Sequence, residues 1–125
     1  MPREAISSTA IAPAAGPFSS AVRAGEFVFL SGQVAQLAAT GELIAGDVAA
    51  QTEQIFKNLR AVLGAAGKTL ADVVRVAVYL TDMKNFAPMN AVYAQNLEPP
   101  YPARTTIAVA ALPLGALVEI DLVAR

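Results

Sequence analysis

The 125-residue chain contains no cysteine, no histidine and no tryptophan. Without cysteine there can be no disulfide, no thiolate nucleophile and no thiolate metal ligand. The lack of histidine excludes more. Ser-His-Asp triads, histidine-ligated zinc and imidazole acid–base steps are all impossible within this chain. Charge is scarce as well: 15% of residues are Asp, Glu, Lys or Arg, against about 25% in an average globular domain, while 55% are apolar. So little charge is hard to spread over a small monomer, and part of the surface is expected to be buried against other copies of the chain. The net charge is −1 and the nine Lys and Arg are scattered singly, so the basic stripe that holds a phosphate backbone is missing and no nucleic-acid partner is expected. No apolar run approaches a membrane span. The opening "MPREAISSTA" has no signal-peptide core, so a cytoplasmic location without a membrane partner is the expectation.

What is present reads as one domain over residues 1–125, with no repeat, linker or low-complexity segment. Residues 1–17 are small and proline-punctuated, as in an extended arm. "FSSAVRAGEFVFLSGQVA" (18–35) reads as two strands around a turn at Ala24–Glu26, and "TGELIAG" (40–46) as a short third strand. Asp47 is placed to cap a helix in which Val48, Ile55, Leu59 and Val62 recur at helical spacing, ended by Gly64 and Gly67. The valine-rich 72–82 segment predicts a central strand with Val74, Val76, Val78 and Leu80 on one side. A second helix is expected from about Lys84 to Leu97, with Phe86, Met89 or Asn90, Tyr93 and Leu97 on one stripe and Pro88 tolerated in the first turn. Two strands, about 103–111 and 116–124, close the chain. The fold class is therefore α+β with the order β-β-β-α-β-α-β-β, a mixed sheet carrying both helices on one face. The opposite face looks too apolar to meet water and predicts a neighbouring subunit as its cover.

The last stretch, "YPARTTIAVAALPLGALVEIDLVAR" (101–125), is almost wholly apolar yet holds Arg104 and Glu119, both expensive inside a domain. If the final two strands form a hairpin looped by Leu112–Gly115, alternation puts Arg104, Thr106, Ala108, Glu119 and Asp121 on one face, and Ile107, Val109, Val118, Ile120 and Leu122 on the other. Arg104 and Glu119 then reach a shared space about 10 Å across. Such a pair can be a structural ion pair at a subunit boundary. It can equally be a site, because a guanidinium binds a carboxylate bidentately and a carboxylate beside it can orient or deprotonate water.

The segments "GPFSSAV" (16–22), "FVFLSGQV" (27–34), "NAVYAQNL" (90–97), "YPARTTIAVAALP" (101–113) and "LVEIDLVA" (117–124) resemble, in order and spacing, the RidA/YjgF family of imine deaminases, also called the L-PSP endoribonuclease family. The resemblance covers about residues 16–124. It implies a chorismate-mutase-like fold assembled as a homotrimer, with clefts between adjacent subunits. It also implies cofactor-independent hydrolysis of enamine/imine intermediates, of the 2-aminoacrylate type, to 2-oxo acids and ammonia. Small 2-imino and 2-oxo acids would be the ligands, and no metal is implied. By the same resemblance Arg104 holds the substrate carboxylate, Glu119 serves the attacking water, the Thr106 backbone contacts the ligand, and Ser31, Gly32 and Asn90 line or support the cleft. Phe18 stands where the family usually has tyrosine, so a hydroxyl that could donate to substrate or water is missing.

Other signals are weaker. "GAAGKT" (64–69) lacks the first glycine of a phosphate loop, since Val62 occupies that position, and reads as a helix terminator. Ser19, Ser20, Thr105 and Thr106 have no base in the chain to activate a hydroxyl. Two further function classes remain: a non-catalytic small-acid-binding or chaperone-like trimer, which Phe18 favours, and an endoribonuclease or translation inhibitor, which the charge pattern disfavours.

Overall fold

A computed structural model of the chain describes residues 2–125; Met1, the first residue of the expected arm, lies outside them. Eight principal elements follow in order: β1 (Glu4–Ile6), β2 (Ala21–Ala24), β3 (Phe27–Gln33), α1 (Val48–Ala65), β4 (Val73–Leu80), α2 (Phe86–Asn96), β5 (Ala103–Ala108) and β6 (Val118–Ala124). The strands form one sheet in the order β1-β2-β3-β6-β4-β5. Every neighbouring pair is antiparallel except β4 and β5, which run parallel. A parallel pair needs a crossover, and α2 supplies it. The order β-β-β-α-β-α-β-β and the mixed sheet agree with expectation.

Local chemistry explains the helices. The Asp47 carboxylate accepts from the Ala50 amide at 3.0 Å and starts α1. Gly67, at φ +74, turns the chain away after it, and the Lys68 amide donates to the Leu63 carbonyl at 2.8 Å. Ile55, Phe56, Leu59, Val62 and Leu63 of α1 join Met89, Val92 and Tyr93 of α2 over one sheet face, where Val28, Leu30, Val76, Val78, Leu80, Val118, Ile120 and Leu122 lie buried. Among the described residues no helix lies on the other sheet face. Phe27, Phe29 and Ile107 stand exposed there, at 39%, 43% and 45%; the expected apolar surface is thus present at the two sides of this face, while Arg75, Tyr79, Glu119 and Asp121 of β4 and β6 make its middle polar.

Three expectations need correction. Residues 40–46 form no strand; a single bridge joins Gln36 and Leu43, since Gly41 and Gly46 at φ +74 and +134 take the backbone out of extended geometry. The third strand is instead β1, within the N-terminal arm, where Ile6 packs inward. Val74 does not share the buried side of β4: the register slips between Val73 and Arg75, and Val74 is 44% exposed. Most consequentially, the last two strands are not a hairpin. β4 lies between β5 and β6.

Candidate functional site

Arg104 sits on β5 on the helix-covered side of the sheet. Its guanidinium stacks 4.4 Å from the Tyr93 ring centroid and 5.7 Å from that of Phe86, while Nη1 donates to Asn90 Oδ1 at 2.7 Å. All three partners lie on α2, at positions 86, 90 and 93, one stripe of a helix. The ring gives the cation a flat seat and the amide fixes one end of its fork. Tyr101, Pro102 and Ala94 complete a hollow of about 370 Å³ in front of it. Burial pushes the Tyr93 hydroxyl up from its usual pKa, with the guanidinium opposing. That hydroxyl and Thr106 Oγ1, both buried, have no hydrogen-bond partner among the described residues.

Glu119 occupies a different environment. It lies on β6 against Gly32 of β3, so closely that no side chain fits between them. The backbone of residue 32 must approach the carboxylate, and glycine permits this. Ser31, next to it, donates from Oγ to the Ser19 carbonyl at 2.6 Å and ties β3 to the segment that carries Phe18. Glu119, Gly32, Phe18, Pro13, Val34 and Leu114 line a cavity of about 330 Å³. Burial first, and the Asp121 charge second, raise the Glu119 pKa above the ordinary carboxylate value. Asp121 itself accepts a 2.9 Å hydrogen bond from Tyr79 Oη, which raises the tyrosine's pKa.

The site residues thus fall into two groups. Arg104, Asn90 and Thr106 gather on the helix-covered side; Glu119, Gly32, Ser31 and Phe18 gather elsewhere. Val78 of β4 is in register with both Thr106 and Ile120, and Tyr79 with both Ile107 and Glu119. Residues level across a sheet share a face. Arg104 therefore points with Ile120 and Leu122, and Glu119 points to the opposite face with Ile107. The shared face expected from a hairpin does not exist within one chain, and neither does a direct Arg104–Glu119 ion pair across it.

The family profile described as Endoribonuclease L-PSP matches residues 8–125. The chain belongs to this family, the RidA/YjgF family. A 2-iminobutanoate/2-iminopropanoate deaminase of Bos taurus is 42% identical over 120 residues, covering 95% of this chain and 88% of the relative. Among solved structures, RidA from an Antarctic Psychrobacter is 44% identical with a TM-score of 0.94, covering 98% of this chain and 99% of that one. Escherichia coli TdcF with bound serine is 34% identical with a TM-score of 0.90, covering 97% of each chain. The fold class expected from the sequence is that of RidA/YjgF family structures.

From the sequence, Tyr93 and Phe86 read first as packed helix residues, Tyr101 as a candidate pocket wall, and Leu114 as no site residue. A signal for the first two was available: Phe86, Asn90 and Tyr93 recur at helical spacing and so had to face one common object. Leu114 offered no signal beyond its position between proline and glycine.

Proposed function

We propose that the protein hydrolyses 2-imino acids of the 2-aminoacrylate type to 2-oxo acids and ammonia, at clefts in which one copy supplies Arg104 and a neighbouring copy supplies Glu119. The observation that carries this reading is the back-to-back disposition of the two groups. Each is suited to a ligand, one as a seated fork and the other as a half-buried carboxylate in a cavity, yet one chain cannot bring them together. The bare sheet face with Phe27, Phe29 and Ile107 is suited to the meeting of copies, in a closed assembly such as a homotrimer.

In this mechanism the substrate carboxylate docks on the free edge of the Arg104 guanidinium, while Asn90 and Tyr93 hold its other edge and its face. A water beside Glu119 adds its oxygen to C2 of the protonated imine and gives a proton to the carboxylate. That proton passes to nitrogen, the hydroxyl then gives its remaining proton to the freed carboxylate as the C2–N bond breaks and the carbonyl forms, and ammonia leaves. Imines of this kind are already susceptible to water, so positioning plus one acid–base group suffices. The backbone of Thr106, one strand step beyond Arg104 on the same face, and those of Ser31 and Gly32 border the ligand.

The test is subunit mixing. Arg104→Ala and Glu119→Gln chains, each purified alone, should scarcely accelerate decay of 2-aminoacrylate trapped as its semicarbazone. Refolded together, they should regain activity, because about one quarter of randomly paired clefts then hold both native groups. No recovery in mixed assemblies of confirmed composition would falsify the shared cleft.

A second reading, a non-catalytic binder of small acids, is favoured by Phe18, which stands 55% exposed at the Glu119 cavity without a hydroxyl to offer. Binding of 2-oxobutyrate lost in Arg104→Ala, with no imine turnover by the native protein, would select it.

A further inference from the structure

Leu114 is the one non-glycine residue with positive φ among the described residues, at φ 60 and ψ 17. In that conformation a side chain's Cβ crowds the following carbonyl, and leucine has no polar group to compensate. The turn that holds it is closed by the Gly115 amide on the Leu112 carbonyl (3.3 Å) and the Ala116 amide on the Pro113 carbonyl (3.0 Å). Nothing in the core rewards this arrangement, because the Leu114 side chain is 62% exposed. Strained residues of this kind cluster at active sites, ligand clamps and switch regions.

What Leu114 borders is the Glu119 cavity. Phe18, Pro13, Pro113 and Val34 line it too; Ser20, Gln33 and Gln36 add polar groups, but the greater part of the wall facing the carboxylate is apolar. At about 330 Å³ the space is at the lower end of small-molecule sites, and a three-carbon imino acid leaves much of it unfilled. With the substrate carboxylate on Arg104 and C2 at Glu119, the substituent beyond C2 is the part left to occupy this hydrocarbon-walled space.

We propose that Leu114 and Phe18 form a side-chain subsite that selects 2-imino acids bearing a larger aliphatic group, the leucine-derived imine over the alanine-derived one. This rests on the deaminase reading and specifies its substrate. In an apolar pocket one methylene is worth about tenfold in kcat/KM.

The experiment compares imines generated in situ from L-leucine and L-alanine by an L-amino acid oxidase, read as semicarbazones, for native protein and Leu114→Asn. Asparagine accepts the left-handed backbone more readily than leucine does, so the turn survives while the hydrocarbon is lost. The native protein should favour the leucine imine, and the leucine-to-alanine ratio of kcat/KM should fall about tenfold in the variant. An unchanged ratio overturns the subsite. So does a variant that sediments as a smaller species, because Leu114 would then be a contact between copies. If the native protein hydrolyses neither imine, the deaminase reading fails by itself, and calorimetry with 2-oxo-4-methylpentanoate and pyruvate decides the subsite. Selective weakening of the former in Leu114→Asn supports it; equal weakening, or no binding of the former by native protein, overturns it.

Discussion

The Glu119 carboxylate rests on Gly32: a Cβ built at residue 32 would come within 2.8 Å of Glu119 Cδ. Gly32 is not among the glycines with positive φ, so the backbone itself would accept alanine. Gly32→Ala should therefore push the carboxylate aside without unfolding β3. Imine turnover should drop by about tenfold or more, the scale of a misplaced catalytic group. The melting temperature should shift little, because Glu119 is only half-buried. Parallel kinetics and thermal melts check this; full turnover in a folded variant would separate Glu119 from the chemistry.

Glu119 also sets a pH dependence. Its pKa in the folded protein is raised, by burial and then by Asp121. If the carboxylate is the working form, kcat/KM falls as pH drops through that raised value. Asp121→Asn removes a like charge, so the acidic limb should move to lower pH. Stability has the opposite dependence. A carboxyl raised above its unfolded value of about 4.3 loses stability as pH rises from there through the folded pKa. Glu119→Gln should thus match the native protein in acid and exceed it near neutrality, in denaturant melts at matched ionic strength.

Tyr93 separates a ring effect from a hydroxyl effect. The Arg104 guanidinium lies 4.4 Å from its ring centroid, and its hydroxyl has no hydrogen-bond partner among the described residues. Tyr93→Phe should keep KM and gain slightly in stability, since a buried unpaired hydroxyl is a net cost. Tyr93→Leu removes the seat, and KM for the imine should rise about fivefold with a smaller effect on kcat, in line with a stacking contribution of about 1 kcal/mol. Equal KM in both variants would remove the ring from any positioning role.

Phe29 stands on the helix-free face at 43% exposure, with its ring centroid 6.3 Å from that of Phe27. Phe29→Asp places a charge on the surface expected to meet another copy. Analytical ultracentrifugation should show a shift to smaller species, and activity should fall with it although neither Arg104 nor Glu119 is touched. A variant that keeps the native mass would place the contact elsewhere.

Much of this architecture is local and was therefore legible. Asp47 announces α1, the Pro99–Pro100 pair ends α2, and the valine alternation from Val76 to Leu80 gives the buried side of β4. Which strands adjoin is not local. Alternation states which residues of one strand share a face, but not who stands beside them. With a four-residue hairpin loop, residue numbers opposite one another sum to an odd total, so Arg104 joins Glu119. With β4 inserted, Val78 pairs with both Thr106 and Ile120, and even-numbered residues join even-numbered ones. One strand's insertion reverses the geometry while every strand assignment nearby survives. The same blindness hid β1, too short to show a period, and Leu114, whose strain belongs to its backbone and not to its letter.

Carrying Arg104 and Glu119 back to back has a further consequence once copies close into a ring. In the proposed assembly every chain lends a cation to one neighbour and an acid to the other. A copy damaged at both positions would silence both of the clefts it borders, so a minority of faulty subunits would depress output beyond their own number.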